Sequence, residues 1–285
     1  MKIKINDVNL FFDIEGIGFS AHENNLVERP NLILLHGGPG NDHSSFRPSM
    51  SVLADIAHVI YIDQRGHGRS DRSTSSKWNL GQWTDDIAEF IDTLNLNKPI
   101  ILGNSFGGFV AQSVALKYPE KISKLILSST MATCRFDRII DAFSRHGEEL
   151  ITNAAKSFWN NPTDEKARKD YRQICGPLYN TSAGGRQYSV SSIRNEDILL
   201  HFYGPSGEGR CFNFLSELKN ITVPTLVLSG AKDHIATPDD TTDLIEALPK
   251  NLTKSFIFKN SGHGVYRDEP ETAFPIIKDF ILGRL

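Results

Sequence analysis

The sequence predicts an α/β fold, with a mostly parallel central sheet flanked by helices and interrupted by one inserted helical cap. Three observations lead there. Short apolar runs alternate with amphipathic helical patterns over residues 1–130 and again over 213–285, as a parallel sheet with crossover helices requires. One strand-to-helix junction reads Pro99-Ile100-Ile101-Leu102, then Gly103-Asn104-Ser105-Phe106-Gly107-Gly108, then an apolar helical stretch from Phe109 to Leu116. That is Gly-x-Ser-x-Gly in the setting of a sharp turn that presents a serine. Between 131 and 212 the alternation stops, and Ile139, Ile140, Phe143, Leu150, Ile151, Ala154 and Phe158 recur at helical spacing. A core domain of residues 1–130 and 213–285 with a cap of residues 131–212 accounts for this break.

Taken in order, Met1-Lys2-Ile3-Lys4-Ile5 alternates like a strand, and residues 1–16 suggest a hairpin. Leu32-Ile33-Leu34-Leu35 is a buried-strand run that empties into the flexible loop His36-Gly37-Gly38-Pro39-Gly40. Residues 56–62 form the next buried strand and lead into Asp63-Gln64-Arg65-Gly66-His67-Gly68-Arg69-Ser70. An amphipathic helix is expected over 82–94, ending near Asn95. Past the serine turn and its helix, residues 122–127 give another strand. After the cap, Pro224 to Gly230 and Ser255 to Phe258 read as strands, each followed by a polar loop.

Those two polar loops supply the partners that a serine nucleophile needs. Ala231-Lys232-Asp233-His234 offers Asp233 as the acid, and Asn260-Ser261-Gly262-His263-Gly264 sets His263 between two glycines as the base. The order serine, acid, histidine is that of this turn class. His263 would take the proton from Ser105 and return it to the leaving group, while Asp233 orients the ring and stabilises the imidazolium. Backbone N–H groups of Gly38 and Phe106 are the candidate oxyanion donors, because the first N–H groups of a helix lack internal partners. His36 and His67 lie in turns and are expected to bond local backbone. His234 is expected to be structural or to line a pocket. Asp239, Asp240 and Asp243 fall at a helix start, where the helix dipole explains them.

On these residues the sequence resembles the α/β-hydrolase superfamily over nearly its whole length. His36-Gly37-Gly38-Pro39-Gly40 and the Asp63 to Ser70 loop look like the proline iminopeptidase branch, serine peptidases that act on N-terminal residues. Related esterases, lactonases and carbon–carbon bond hydrolases share variants of both motifs, and Gly103-Asn104-Ser105 is similar to the turn of the last group. The resemblance implies Ser105, Asp233 and His263 as the triad, beneath a helical lid. The chain departs from the branch at one position: peptidases of this group often carry glutamate directly after the triad aspartate, where His234 stands here.

The cap is where selection of substrate is expected. Phe158, Trp159, Tyr171, Tyr179, Tyr188, Phe202 and Tyr203 offer aromatic surface for a proline ring or an acyl chain, with Trp159 and the loop residue Gly37 taken as substrate-binding. An aminopeptidase must also hold a protonated amine, and Glu196 and Glu208 are the cap acids placed to do so. A carboxylesterase or lactonase would use the same triad without the amine site, and a silent ligand-binding protein would keep only the pocket. A net charge of −3 with 23% charged residues gives no basic face for nucleic acid. No metal is expected, since the histidines are scattered without a His-Glu-x-x-His or Cys-x-x-Cys pair, and no cofactor is called for. No apolar run suits a signal peptide or a membrane span, so a cytoplasmic protein acting on a small molecule or short peptide is the expectation. The oligomeric state is left open. Cys134, Cys175 and Cys211, odd in number and widely spaced, argue against a disulfide framework.

Overall fold

Eight strands form one sheet in the order β1-β2-β6-β5-β7-β8-β9-β10 in a computed structural model that describes residues 1–22, 25–182 and 192–285. They are β1 (Lys2–Ile5), β2 (Val8–Glu15), β5 (Asn31–Leu35), β6 (His58–Asp63), β7 (Ile100–Asn104), β8 (Lys124–Ser128), β9 (Thr225–Gly230) and β10 (Thr253–Phe258). β1 and β2 pair antiparallel, as do β2 and β6, while every pairing from β6 to β10 is parallel. A separate two-stranded ribbon, β3 (Phe19–His22) with β4 (Asn25–Glu28), stands outside the sheet and was not anticipated from the sequence. Its residues Phe19, Leu26 and Val27 are exposed, so the burial periodicity that reveals a strand is missing.

The two-residue period of the strands divides them between two apolar layers. Ile33, Leu35, Ile60, Ile62 and Ile101 pack toward α1 (Leu80–Thr93) and α2 (Phe106–Lys117), whereas Leu32, Leu34, Val59, Leu102 and Leu226 pack toward α9 (Pro270–Ile281). Both faces of the sheet are therefore covered, which is why its strands read as continuous apolar runs. α1 begins two residues earlier than expected because the Asn79 side chain accepts from the Gln82 N–H and caps the helix there. The strand expected at 56 starts at His58, since the N–H groups of Ile56 and Ala57 are held by the Leu53 carbonyl of the preceding 3-10 turn.

Among the described residues, four α-helices follow β8 before β9 begins: α3 (Phe136–Ser144), α4 (Glu149–Asn160), α5 (Glu165–Ile174) and α6 (Glu196–Tyr203). They lie within the stretch where the sequence pattern changes. α7 (Pro238–Ala247) and the short α8 (Val265–Asp268) complete the order. α3 is pinned to α7 by Arg138, which bonds Asp240 and Asp243 at 2.8 Å each. No helix among the described residues is long and apolar enough to cross a membrane.

Candidate active site

Ser105 sits between the end of β7 and the start of α2 with φ +54° and ψ −121°, a conformation that costs a non-glycine residue energy and must be held by its surroundings. Its N–H donates to the Ser128 carbonyl at 3.0 Å, and its own carbonyl accepts from Thr130 Oγ1 and the Gly108 N–H at 2.8 Å each. The flanking glycines are required by close approach: a Cβ on Gly107 would land on the Leu35 carbonyl, and one on Gly103 would strike Gly107. The turn thus fits only because two backbones meet where side chains are absent.

The acid and the histidine come from the loops beyond β9 and β10. His263 Nε2 lies 2.9 Å from Ser105 Oγ, and its Nδ1 lies 2.8 and 3.0 Å from the two Asp233 oxygens. With the proton on Nδ1 facing the carboxylate, the Nε2 lone pair is left to accept from the serine hydroxyl. Asp233 is buried, and its Oδ1 also accepts from the N–H groups of Ile235 and Ala236 at 2.8 and 3.0 Å. These bonds hold the carboxylate in one orientation. The structure brings the three predicted residues into a single hydrogen-bonded relay.

The loop of Gly37 and Gly38 lies beside Ser105. A Cβ on Gly37 would sit 3.2 Å from the Ser105 Cβ and 3.3 Å from Asn104 Nδ2, so the loop runs along the turn that presents the serine. Gly38 has φ +139°, in the region that favours glycine. The Gly40 carbonyl accepts from the Asn195 N–H at 2.7 Å, which ties this loop to the residue capping α6. Phe106 is the first residue of α2, where N–H groups have no partner within the helix, and its ring is buried against Trp83 and Phe202. His36 and His67 bond local carbonyls, of Gly37 at 2.8 Å and Arg65 at 2.9 Å. Burial lowers the pKa of both, that of His67 to about 3, so both rings are neutral.

The expected amine-binding acids have other partners. Glu196, the first residue of α6, pairs with Arg168 at 3.3 Å and with Arg172. Glu208 accepts from the Leu80 N–H at 2.7 Å at the start of α1, and burial raises its pKa. Neither carboxylate is free to recognise an amine, because arginine charge engages one and an open helix end the other. Trp159 is buried among Phe136, Phe158 and Tyr203, and its Nε1–H donates to Tyr171 Oη at 3.1 Å. It reaches the histidine only at one remove: Tyr171 Oη is 2.9 Å from Tyr179 Oη, and the Tyr179 ring stands edge-on to His263 at 5.5 Å. Tyr188 lies outside the described residues.

Two residues at the site escaped the sequence reading. Tyr179 was expected only as aromatic surface, yet its carbonyl accepts from the His263 N–H at 2.6 Å. Asp268 gathers the N–H groups of Thr181, Ser182 and Gly262, so one carboxylate holds both the segment at Thr181 and the loop of His263. A lone aspartate five residues past His263 carries no motif; only its position at the end of a short helix beside that loop could have suggested it. A cleft of about 610 Å³ opens beside the acid loop, lined by Asp233 and His234 but by neither Ser105 nor His263.

The sequence profile of the alpha/beta hydrolase fold matches residues 30–270. The chain belongs to the α/β-hydrolase fold family. It is a hydrolase similar to proline iminopeptidases: one from Heyndrickxia coagulans is 29% identical over 288 residues, covering 95% of this chain and 97% of that protein. Among solved structures, a proline iminopeptidase of Mycobacterium smegmatis superposes with a TM-score of 0.78 at 21% identity, covering 100% of this chain and 98% of that one. An esterase from Exiguobacterium antarcticum superposes at 0.74 with 21% identity, covering 99% and 98%. At such identities these two likenesses speak for the fold alone.

Proposed function

We propose that this α/β-hydrolase is a serine hydrolase that releases an N-terminal proline or similar residue from short peptides through an acyl-enzyme. The observation that carries the reading is the relay from Ser105 Oγ through His263 to Asp233, at 2.9 and 2.8 Å. Ser105 attacks the carbonyl carbon as its proton passes to His263 Nε2, and Asp233 stabilises the imidazolium. The N–H groups of Gly38 and Phe106 receive the oxyanion. Collapse expels the amine, which takes the proton from His263; water then attacks the acyl-serine by the same route in reverse. The helices between β8 and β9, within a cap of residues 131–212, close over the acyl group and select it. The peptidase choice rests on likeness to proline iminopeptidases along nearly the whole chain.

One observation favours a second reading, a carboxylesterase or lactonase with the same triad. The carboxylates of Glu196 and Glu208 are both engaged elsewhere, and the position after Asp233 holds His234, so none of these supplies an anion for a substrate amine. The deciding experiment compares prolyl-, alanyl- and N-blocked prolyl-amides with short p-nitrophenyl esters, using Ser105→Ala as control. Turnover of free-amine prolyl-amides alone supports the iminopeptidase. Ester turnover alone, abolished in Ser105→Ala, moves the assignment to the esterase. Activity surviving in Ser105→Ala would sink both.

A further inference from the structure

A chain of hydrogen bonds runs from α4 through α5 toward His263 and ends on a donor without an acceptor. Trp159 Nε1–H can only donate, so Tyr171 Oη accepts from it at 3.1 Å. Tyr171 is buried among Phe143, Phe158 and Trp159, and the one acceptor that its own hydroxyl meets among the described residues is Tyr179 Oη at 2.9 Å. The opposite direction would strand the Tyr171 proton among those rings, the costlier arrangement. Tyr179 therefore accepts, and its own hydroxyl proton, which burial holds in place by raising the pKa, has no partner among the described residues. A donor at the end of such a chain is strengthened by those behind it. It stands beside the reacting groups: the Tyr179 ring lies 5.5 Å from that of His263, and ring contacts lead back from Tyr171 through Trp159, Tyr203 and Phe202 to Phe106, the residue after Ser105. A residue esterified to Ser105 lies between the two ends of that series.

These surroundings fit a hydrogen-bond acceptor better than an amine. Among the described residues no carboxylate bonds to the tyrosine hydroxyls, and the guanidinium of Arg210 already lies 4.7 Å over Phe136, whose ring packs on Trp159 at 5.0 Å and on Tyr203 at 5.7 Å. An ammonium brings only donors, whereas Tyr179 has a donor to place. We propose that Tyr179 Oη donates to a carbonyl oxygen on the residue being released, so that the enzyme takes a neutral five-membered lactam, an N-terminal pyroglutamyl residue, as well as proline. The lactam has the ring size of proline and no charge, so it needs no anion in the site. The proposal rests on the serine-hydrolase reading above and uses the same chemistry: the pyroglutamyl amide bond breaks, and water supplies the hydroxyl of the new acid and a proton to the departing amine.

The test measures kcat/KM on the p-nitroanilides of L-pyroglutamic acid, L-proline and cyclopentanecarboxylic acid, the last a ring of the same size with neither lactam nor amine. The native chain is expected to favour the pyroglutamyl over the cyclopentanecarbonyl anilide by roughly tenfold, the weight of one good hydrogen bond. Tyr179→Phe keeps the ring and the backbone carbonyl that accepts from His263, and should bring that ratio close to one. A merely structural role for Tyr179 lowers both anilides together and leaves the ratio where it was, which overturns the proposal. So does a native ratio near or below one, a measurement that needs no variant and stands even if circular dichroism shows Tyr179→Phe misfolded. Prolyl turnover with Ser105 labelled by a fluorophosphonate, and none of the pyroglutamyl anilide, would sink this inference and spare the reading it rests on. Neither labelling nor turnover of any anilide would sink both.

Discussion

Replacing Asp268 by asparagine asks whether the loop of His263 is held from the cap side. Asp268 Oδ1 accepts from the N–H groups of Ser182 at 2.9 Å and Thr181 at 3.1 Å, and Oδ2 accepts from Gly262 at 2.8 Å and Thr181 at 3.1 Å. Asparagine offers one acceptor oxygen, and its amide nitrogen then faces a donor. Turned one way it releases Gly262; turned the other it releases Ser182. A hydrogen bond to a charged group contributes roughly 1.5–3 kcal/mol, and water offsets part of the loss because Thr181 is exposed, giving about 2 kcal/mol in all. For a chain of this size that is a fall in Tm of about 3–4 °C. His263 follows Gly262 directly, and its Nε2 is 2.9 Å from Ser105 Oγ. A shift of about 1 Å there costs about 100-fold, so partial release lowers kcat by about tenfold, with KM within about twofold. Steady-state kinetics are read beside the rate of Ser105 labelling by a fluorophosphonate, and both should fall together. A lowered Tm with unchanged kcat and labelling rate would refute the reasoning, since Asp268 would then only fasten the cap.

Gly107→Ala places a Cβ on the Leu35 carbonyl, which no side-chain movement relieves, and is expected to cost about 3 kcal/mol by urea denaturation and to abolish turnover. Burial alone would raise the pKa of Asp63, but hydrogen bonds from His43 and the Arg69 N–H overcome it and hold the carboxyl at about 2. Because the native value lies below the unfolded one, this stability is present above about pH 4 and lost as pH falls toward about 2, a total of about 2–3 kcal/mol. Asp63→Asn should flatten that acid limb in urea titrations at several pH values, and an unchanged limb would count against it. For Glu208 the sign is opposite: its raised pKa means the native chain holds the proton more tightly, so stability falls as pH climbs through the raised value. Glu208→Gln can still accept from Leu80 and should remove that fall while leaving turnover intact; selective loss of activity on free-amine peptides would return Glu208 to the substrate site.

The parts of the site that were legible are those in which backbone geometry restricts residue type. The serine turn tolerates only glycine at Gly103 and Gly107, and that requirement is written in the chain as a motif. Asp233 and His263, which the structure brings together with Ser105, stood out because each lies in a loop directly beyond an apolar strand. Recognition of substrate was not legible in the same way. Glu196 and Glu208 are acids in the right segment, but only packing shows that arginines and a helix end already engage them. Asp268 was invisible because its importance lies in three N–H groups that converge from residues far apart in sequence. The exposed ribbon β3-β4 was missed for a related reason, since a strand without a buried face has no alternation to read.

The helices between β8 and β9 leave and rejoin the sheet at neighbouring positions. β8 and β9 are adjacent and parallel, a bridge joins Thr133 to Asn213, and the Phe214 N–H donates to the Ala132 carbonyl at 2.9 Å. The excursion therefore closes on itself, with its two ends hydrogen-bonded to each other. A different run of helices could be spliced between these ends without stretching the strands that carry Ser105 and Asp233. Such a graft would have to reproduce the contacts to Gly40 and to the histidine loop, the Arg138 bonds to α7, the Glu208 bond to the start of α1 and the packing of Phe202 on Phe106. The fold carries these helices as a cassette hinged on two adjacent strands of a fixed sheet.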